Sequence, residues 1–352
     1  MAQFKQIVDV WYPIVQAPMV GVSTPALAAA VSNAGALGSI GVGSSTAEQA
    51  RSLIRQTREL TDRPFNVNLF CHQPALADSD RELRWLDYLG PYFSELGVLA
   101  PQRLELPYTS FCEQPETLAM LLEEKPAVVS LHFGLPPAEW IEQLKQAGIR
   151  LIATATNIDE AVTIEKAGLH GIVAQGREAG GHSGVFDPSA GDPELGTLPL
   201  VQLILDRCKL PVIAAGGIMD GRGIRAVQDL GACGVQMGTA FILCPESAAD
   251  DRYRRILIRG EGLDTRITSV ISGRPARGIV DRWWREVDSG DHPPCPDYPI
   301  AYSAGKALKR AGGDSGQFGF DAYWAGQGVS LARQMPAGEL VQQLVEEMYS
   351  PD

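Results

Sequence analysis

Two histidines, His132 and His182, are the groups in this chain best placed to move protons. His182 closes the stretch Gly171-Ile-Val-Ala-Gln-Gly-Arg-Glu-Ala-Gly-Gly-His182, where a short apolar run gives way to a glycine-rich turn. Such a turn lets backbone approach a flat or phosphorylated ligand and leaves the imidazole facing it. An imidazole of ordinary pKa, near ~6.5, changes protonation at working pH, which is what a general acid or base requires. His132 ends a second apolar run, residues 127–134, and ranks after His182 because no glycine turn presents it. His72, His170 and His292 fall in expected loops or helix ends and read as solvated groups.

Two further segments repeat the pattern of an apolar run ending in small residues: Pro211-Val-Ile-Ala-Ala-Gly-Gly217 and Gly234-Val-Gln-Met-Gly-Thr239. A single Gly-Gly pair is usually only a tight turn. Two at equivalent positions, together with the His182 loop, predict a bound phosphorylated cofactor. Backbone N–H groups, the Thr239 hydroxyl and a helix N-terminus near Asp220 would hold its phosphate without a lysine.

These residues need elements that bring them to one place. Short apolar runs occur at residues 14–18, 36–41, 65–70, 127–134, 150–156, 171–175, 211–216 and 234–238. Amphipathic helices separate most of them. The helix at 46–60 opens on the capping pair Thr46 and Gln49, that at 157–167 on Asn157 and Glu160, and that at 137–147 stops at Gly148. Continuously apolar strands alternating with helices predict a parallel sheet buried on both faces, and eight of them predict an α/β fold of the closed (β/α)8 TIM barrel type. A doubly wound open sheet is the alternative. In a barrel, strand C-termini converge on one face, with phosphate held after strands seven and eight, where Gly217 and Thr239 fall.

Two stretches depart from the repeat. Residues 71–116, rich in Pro, Trp and Tyr, form an expected insertion after strand three, with a helix at 80–89. Residues 1–245 are expected to form the barrel, and 246–352 a C-terminal helical subdomain over its mouth, with helices at 248–258 and 339–349.

Composition narrows the function. A net charge of −12 argues against nucleic acid and anionic membranes as partners, since both need a concentrated basic surface. No charged residue lies between Asp9 and Glu48, yet Pro13, Pro18, Pro25 and clustered glycines break that stretch, so no membrane span is expected. Six scattered cysteines lack metal-type spacing and read as reduced thiols, with no metal site. Without a secretory-type N-terminus the expectation is cytoplasmic, and no pattern specifies an oligomer.

The motifs resemble those of the nitronate monooxygenases, class I. The matching elements are Gln16-Ala-Pro-Met19, Asn66-Val-Asn-Leu69, His132-Phe-Gly134, Ala174-Gln-Gly-Arg-Glu-Ala-Gly-Gly-His182, Ala215-Gly-Gly217, Gln236-Met-Gly-Thr239 and Tyr323-Trp-Ala-Gly-Gln327. The resemblance implies an FMN contacted by Met19, Asn68, Gln175, Gly180, Gly181, Gly217, Gln236, Met237, Gly238 and Thr239, with His182 catalytic. It implies oxidation of an alkyl nitronate by O2 to a carbonyl compound and nitrite. Lys306, with His132 and Tyr302, would bind a carboxylated substrate such as propionate 3-nitronate, and Tyr108 and Tyr298 would help wall the pocket. The alternative enzyme is an FMN-dependent NAD(P)H:quinone or enoyl-thioester reductase on the same barrel. The non-catalytic alternative is a partner surface built on Trp283-Trp284 and the 71–116 insertion.

Overall fold

The computed structural model describes residues 2–260, 264–316 and 319–350. Eight parallel strands form its centre: β1 (Ile14–Gln16), β2 (Gly38–Gly41), β3 (Phe65–Phe70), β4 (Val128–His132), β5 (Arg150–Ala155), β6 (Gly171–Gln175), β8 (Val212–Ala215) and β9 (Gly234–Met237). A two-residue strand, β7 (Gly181–His182), intervenes in sequence but lies outside the barrel. Each strand pairs with its neighbour, from β2 round to β9 and then β1. The circle closes through a Val15–Leu37 bridge, with the Leu37 N–H on Ile14 O and the Gln16 N–H on Leu37 O, both 2.9 Å. Every expected apolar run is a barrel strand, because runs buried on both faces carry no polar side to suit another role.

Helices α1 (Pro25–Asn33), α2 (Ala47–Leu60), α4 (Pro115–Glu124), α5 (Ala138–Gln146), α6 (Ile158–Lys166), α7 (Thr197–Arg207) and α8 (Gly221–Asp229) surround the strands, and α3 (Ser79–Glu95) lies in the insertion. Local chemistry sets their starts. Thr46 and Gln49 form the reciprocal capping box of α2, Asn157 accepts from the Glu160 N–H at α6, and Pro25 occupies the first turn of α1 behind the Thr24 cap.

The chain after β9 contains α9 (Asp251–Arg259), strands β10 (Thr265–Thr268) and β11 (Ala276–Ile279), α10 (Ile300–Ser315) and α11 (Ala337–Tyr349). Of these, α11 packs between α1 and α8 and completes the helical ring. Its buried stripe of Leu340, Val341, Leu344 and Met348 joins Leu27 and Val31 of α1 and Ile224 and Val227 of α8 in the main core. The Gly221 N–H donates to Glu347 at 2.9 Å, an approach that leaves no room for a side chain there.

The insertion helix α3 and α10 share a separate core with Trp283 and Trp284. Both tryptophans are buried, so they pack the fold and are not partner anchors. Strand β11 pairs with both β10 and β7, setting Ala276 opposite His182. That small antiparallel sheet carries the histidine loop over the barrel mouth.

Candidate active site

The strand ends open into a cavity of about 520 Å³, within the range that encloses a small-molecule ligand. Met19, Asn68, His132, Gln175, Gly180, Gly181, His182, Gly217, Gln236, Met237, Gly238, Thr239, Tyr302 and Lys306 all border it. Residues as far apart as Met19 and Lys306, 287 positions, thus border one cavity, most of them brought there because the barrel gathers its strand ends at one rim.

His182 is held from two sides. Its carbonyl accepts from Gln175 Nε2 at 3.1 Å and from His132 Nε2 at 3.3 Å, while its own Nε2 lies 2.8 Å from Ser272 Oγ. The ring is enclosed by aromatic neighbours, with centroids 5.2 Å from Trp324, 5.4 Å from Tyr298 and 5.9 Å from Phe133. This enclosure, reinforced by the nearby His132 and the Arg274 guanidinium, lowers its pKa to about 3. His182 is therefore a neutral imidazole at working pH, a base and hydrogen-bonding group rather than a cation.

His132 borders the cavity and also supports the histidine loop. Burial lowers its pKa to about 4, so it too is neutral. Its Nε2 must carry the hydrogen, since the His182 carbonyl only accepts, and its Nδ1 faces Thr154 Oγ1 at 3.0 Å. Both nitrogens are engaged, and the ring acts as a clamp beneath the histidine loop. Gln175 works alongside, its Oε1 accepting from the Gly184 N–H at 2.6 Å, which leaves one Nε2 hydrogen for a ligand.

Gly180 borders the cavity and is crowded by backbone as well. A Cβ there would lie 2.5 Å from Ala325 C and Gly326 N, so its smallness admits the Ala325–Gly326 backbone, which the Gly326 N–H ties to Thr239 Oγ1 at 3.0 Å. Gly217 does meet the expected requirement, at φ +71°. The helix N-terminus near Asp220 does not: the Asp220 carboxylate caps α8 by accepting from Gly223, and Glu347 takes the Gly221 N–H. Two carboxylates already fill that position and would repel a phosphate. The Gly216-Gly217 and Gly238-Thr239 turns border the cavity directly.

On the opposite wall, Tyr108 donates to the Tyr298 hydroxyl at 2.8 Å. Lys306 Nζ sits 5.1 Å from the Tyr302 ring centre and 5.6 Å from that of Tyr108, and partial burial lowers its pKa. His72, expected to be solvated, is instead buried against Tyr298 at 4.9 Å, with its pKa lowered to about 4 by burial.

Sequence reading gave no role to Ser272 or Arg274. Arg274 is buried with its guanidinium 4.5 Å over the Phe133 ring, donating to the Val185 and Phe186 carbonyls. Neither residue lies in a periodic or glycine-flanked motif of the kind that marked His182. Their one sequence signal is a Ser-Gly-Arg-Pro turn between two short strands.

A flavin fits the donor set. Gln236 Oε1 is buried in the wall with no hydrogen-bond partner among the described residues, the mark of an acceptor awaiting a ligand donor. Asn68 commits its Nδ2 to Ser130 and keeps its oxygen to accept.

Barrel, rim cavity and enclosed neutral histidine together define a barrel enzyme that works at the C-terminal ends of its strands. The chain belongs to the nitronate monooxygenase family, whose model matches residues 2–347. It is 55% identical over 346 residues to the nitronate monooxygenase of Pseudomonas aeruginosa, covering 98% of this chain and 99% of that one. The nitronate monooxygenase of Paraburkholderia phytofirmans is also 55% identical, over 96% of this chain and 92% of its own. Among solved structures, a nitroalkane oxidase from Streptomyces ansochromogenes superposes with a TM-score of 0.86 at 38% identity, over 96% of both chains. FabK from Thermotoga maritima does so with a TM-score of 0.73 at 28% identity, over 98% of this chain and 95% of that one. The family is flavin-dependent, and the chain is a flavin oxidoreductase. None of its described helices is long and apolar enough to cross a membrane.

Proposed function

We propose that the cavity holds FMN and that the enzyme oxidises alkyl nitronates with O2 to a carbonyl compound and nitrite. The substrate class is carboxylated, with propionate 3-nitronate the leading member. The observation that carries this reading is the convergence on one cavity of a neutral imidazole, an unpaired amide oxygen and a lysine at the rim. Gly217, Gly238 and Thr239 would receive the phosphate. Asn68, Gln175 and Gln236 would hydrogen-bond the polar edge of the ring system, with Met19, Met237, Gly180 and Gly181 against it. The flavin supplies the electron acceptor.

The protein's own contribution is to place and dock the substrate. Lys306 attracts the carboxylate and the Tyr108–Tyr298–Tyr302 wall excludes water around the reacting carbon. A nitronate has already lost its α-proton and asks no base of neutral His182. Presented with a nitroalkane, His182 removes the α-proton as general base. A reductase drawing on NAD(P)H is less supported, since the relatives at 55% identity carry the nitronate monooxygenase name.

The test mixes holoenzyme anaerobically with propionate 3-nitronate or with NADH and follows flavin absorbance, then repeats the reaction in air, measuring oxygen uptake and nitrite. Mass spectrometry of the heat-released flavin identifies it. Bleaching by NADH alone would overturn the proposal.

A further inference from the structure

The hydrogen-bond network around Ser272 bears on which nitrogen of His182 carries its proton. Ser272 is buried in the turn between β10 and β11, and β11 pairs with β7 so that Ala276 lies opposite His182. The Ser183 N–H donates to Pro275 O at 2.8 Å, so the turn is fastened across the histidine loop. Ser272 Oγ has three neighbours: Arg274 O at 3.2 Å, Arg274 N at 3.3 Å and His182 Nε2 at 2.8 Å.

A hydroxyl has one hydrogen and two lone pairs. The Arg274 carbonyl can only accept and the Arg274 N–H can only donate. If the hydroxyl hydrogen goes to the carbonyl, the lone pairs receive the Arg274 N–H and a hydrogen on His182 Nε2, and every group is matched. If the hydrogen goes instead to Nε2, the Arg274 carbonyl faces a lone pair inside a buried turn, with nothing to bond. The first arrangement is the satisfied one.

We propose that Ser272 is a positioning residue that holds His182 as the Nε2–H tautomer, leaving Nδ1 as the nitrogen with the free lone pair. This rests on the nitronate reading of the site and adds to it the identity of the basic atom. It also assigns a purpose to the double grip on the His182 carbonyl by Gln175 and His132: with backbone and Nε2 both fixed, the ring cannot flip to exchange its nitrogens. Fixing a histidine tautomer through its non-reacting nitrogen is a general device, since the wrong tautomer puts a hydrogen where the lone pair is required.

The experiment reads the ring directly. Holoenzyme carrying 15N-labelled histidine is compared by NMR as wild type, Ser272→Ala and Ser272→Thr, with His182→Gln identifying the His182 signals. The expected result is a bare Nδ1 and a protonated Nε2 in wild type, a shift toward the other tautomer in Ser272→Ala, and the wild-type pattern in Ser272→Thr. Kinetically, Ser272→Ala should slow anaerobic flavin reduction by nitroethane about tenfold, within the range lost when an outer hydrogen-bond partner is removed. Oxidation of ethyl nitronate, which requires no proton removal, should change less than about twofold, and Ser272→Thr should recover the nitroethane rate. A wild-type spectrum with hydrogen on Nδ1, a Ser272→Ala spectrum unchanged from wild type, or equal loss on both substrates would overturn the proposal. An enzyme inert to both nitro compounds and to propionate 3-nitronate would refute the nitronate reading itself, and the ring spectrum would then decide on Ser272 alone.

Discussion

The charge state of His182 can be measured through stability. Its folded pKa is about 3, while an unfolded histidine titrates near 6.5. The folded protein therefore binds fewer protons than the unfolded chain below pH 6.5, so this group's contribution to stability is complete above that value and is lost as pH falls toward 3. Between pH 7.5 and 5.0 the loss is RT ln(1 + 10^1.5), about 2 kcal/mol. Other groups titrate in the same window. His72 and His132, each with a pKa lowered to about 4, act in the same direction. Asp281, pushed up to about 8 by burial, acts in the opposite one. All three are common to wild type and His182→Gln, so comparing the two proteins isolates His182. The assay is urea unfolding at both pH values. Wild type should lose about 2 kcal/mol more than His182→Gln on acidification, whatever constant offset the substitution causes. Parallel losses in the two proteins would refute the claim that His182 is held neutral. The catalytic counterpart is an enzyme whose kcat/KM for nitroethane shows no limb near pH 6.5.

Gly180→Ala forces a methyl group against the Ala325–Gly326 backbone, and should cost about 1–3 kcal/mol in thermal or urea unfolding while weakening flavin retention. Gln236→Leu removes a buried oxygen that has no partner, so flavin-free protein should melt no lower than wild type, while flavin affinity falls about tenfold by fluorescence titration. Lys306→Met should raise KM for propionate 3-nitronate at least about tenfold and leave that for ethyl nitronate within about twofold, because only the first carries a carboxylate for the ammonium to meet. His132→Phe removes the clamp on the His182 carbonyl, and should reduce nitroalkane turnover at least as much as nitronate turnover in steady-state assays.

The amino-acid sequence by itself determined the barrel strands, the capped helices between them and the glycine turn that presents His182. Each is a local signal: an apolar run too uniform for a half-exposed strand, a capping pair three residues apart, or a glycine where backbone must turn. Only the tertiary structure decided that α11 closes the ring, that Gly180 admits the Ala325–Gly326 backbone, that Asp220 caps its own helix, and that His72 is buried. It alone brought Ser272 to His182 across 90 positions and enclosed the imidazole until it stayed neutral. The physical reason is common to all of these. Strand register, close backbone approach and desolvation arise between segments far apart in the chain, and irregular turns such as Ser272–Pro275 carry no periodicity that would announce what they will face.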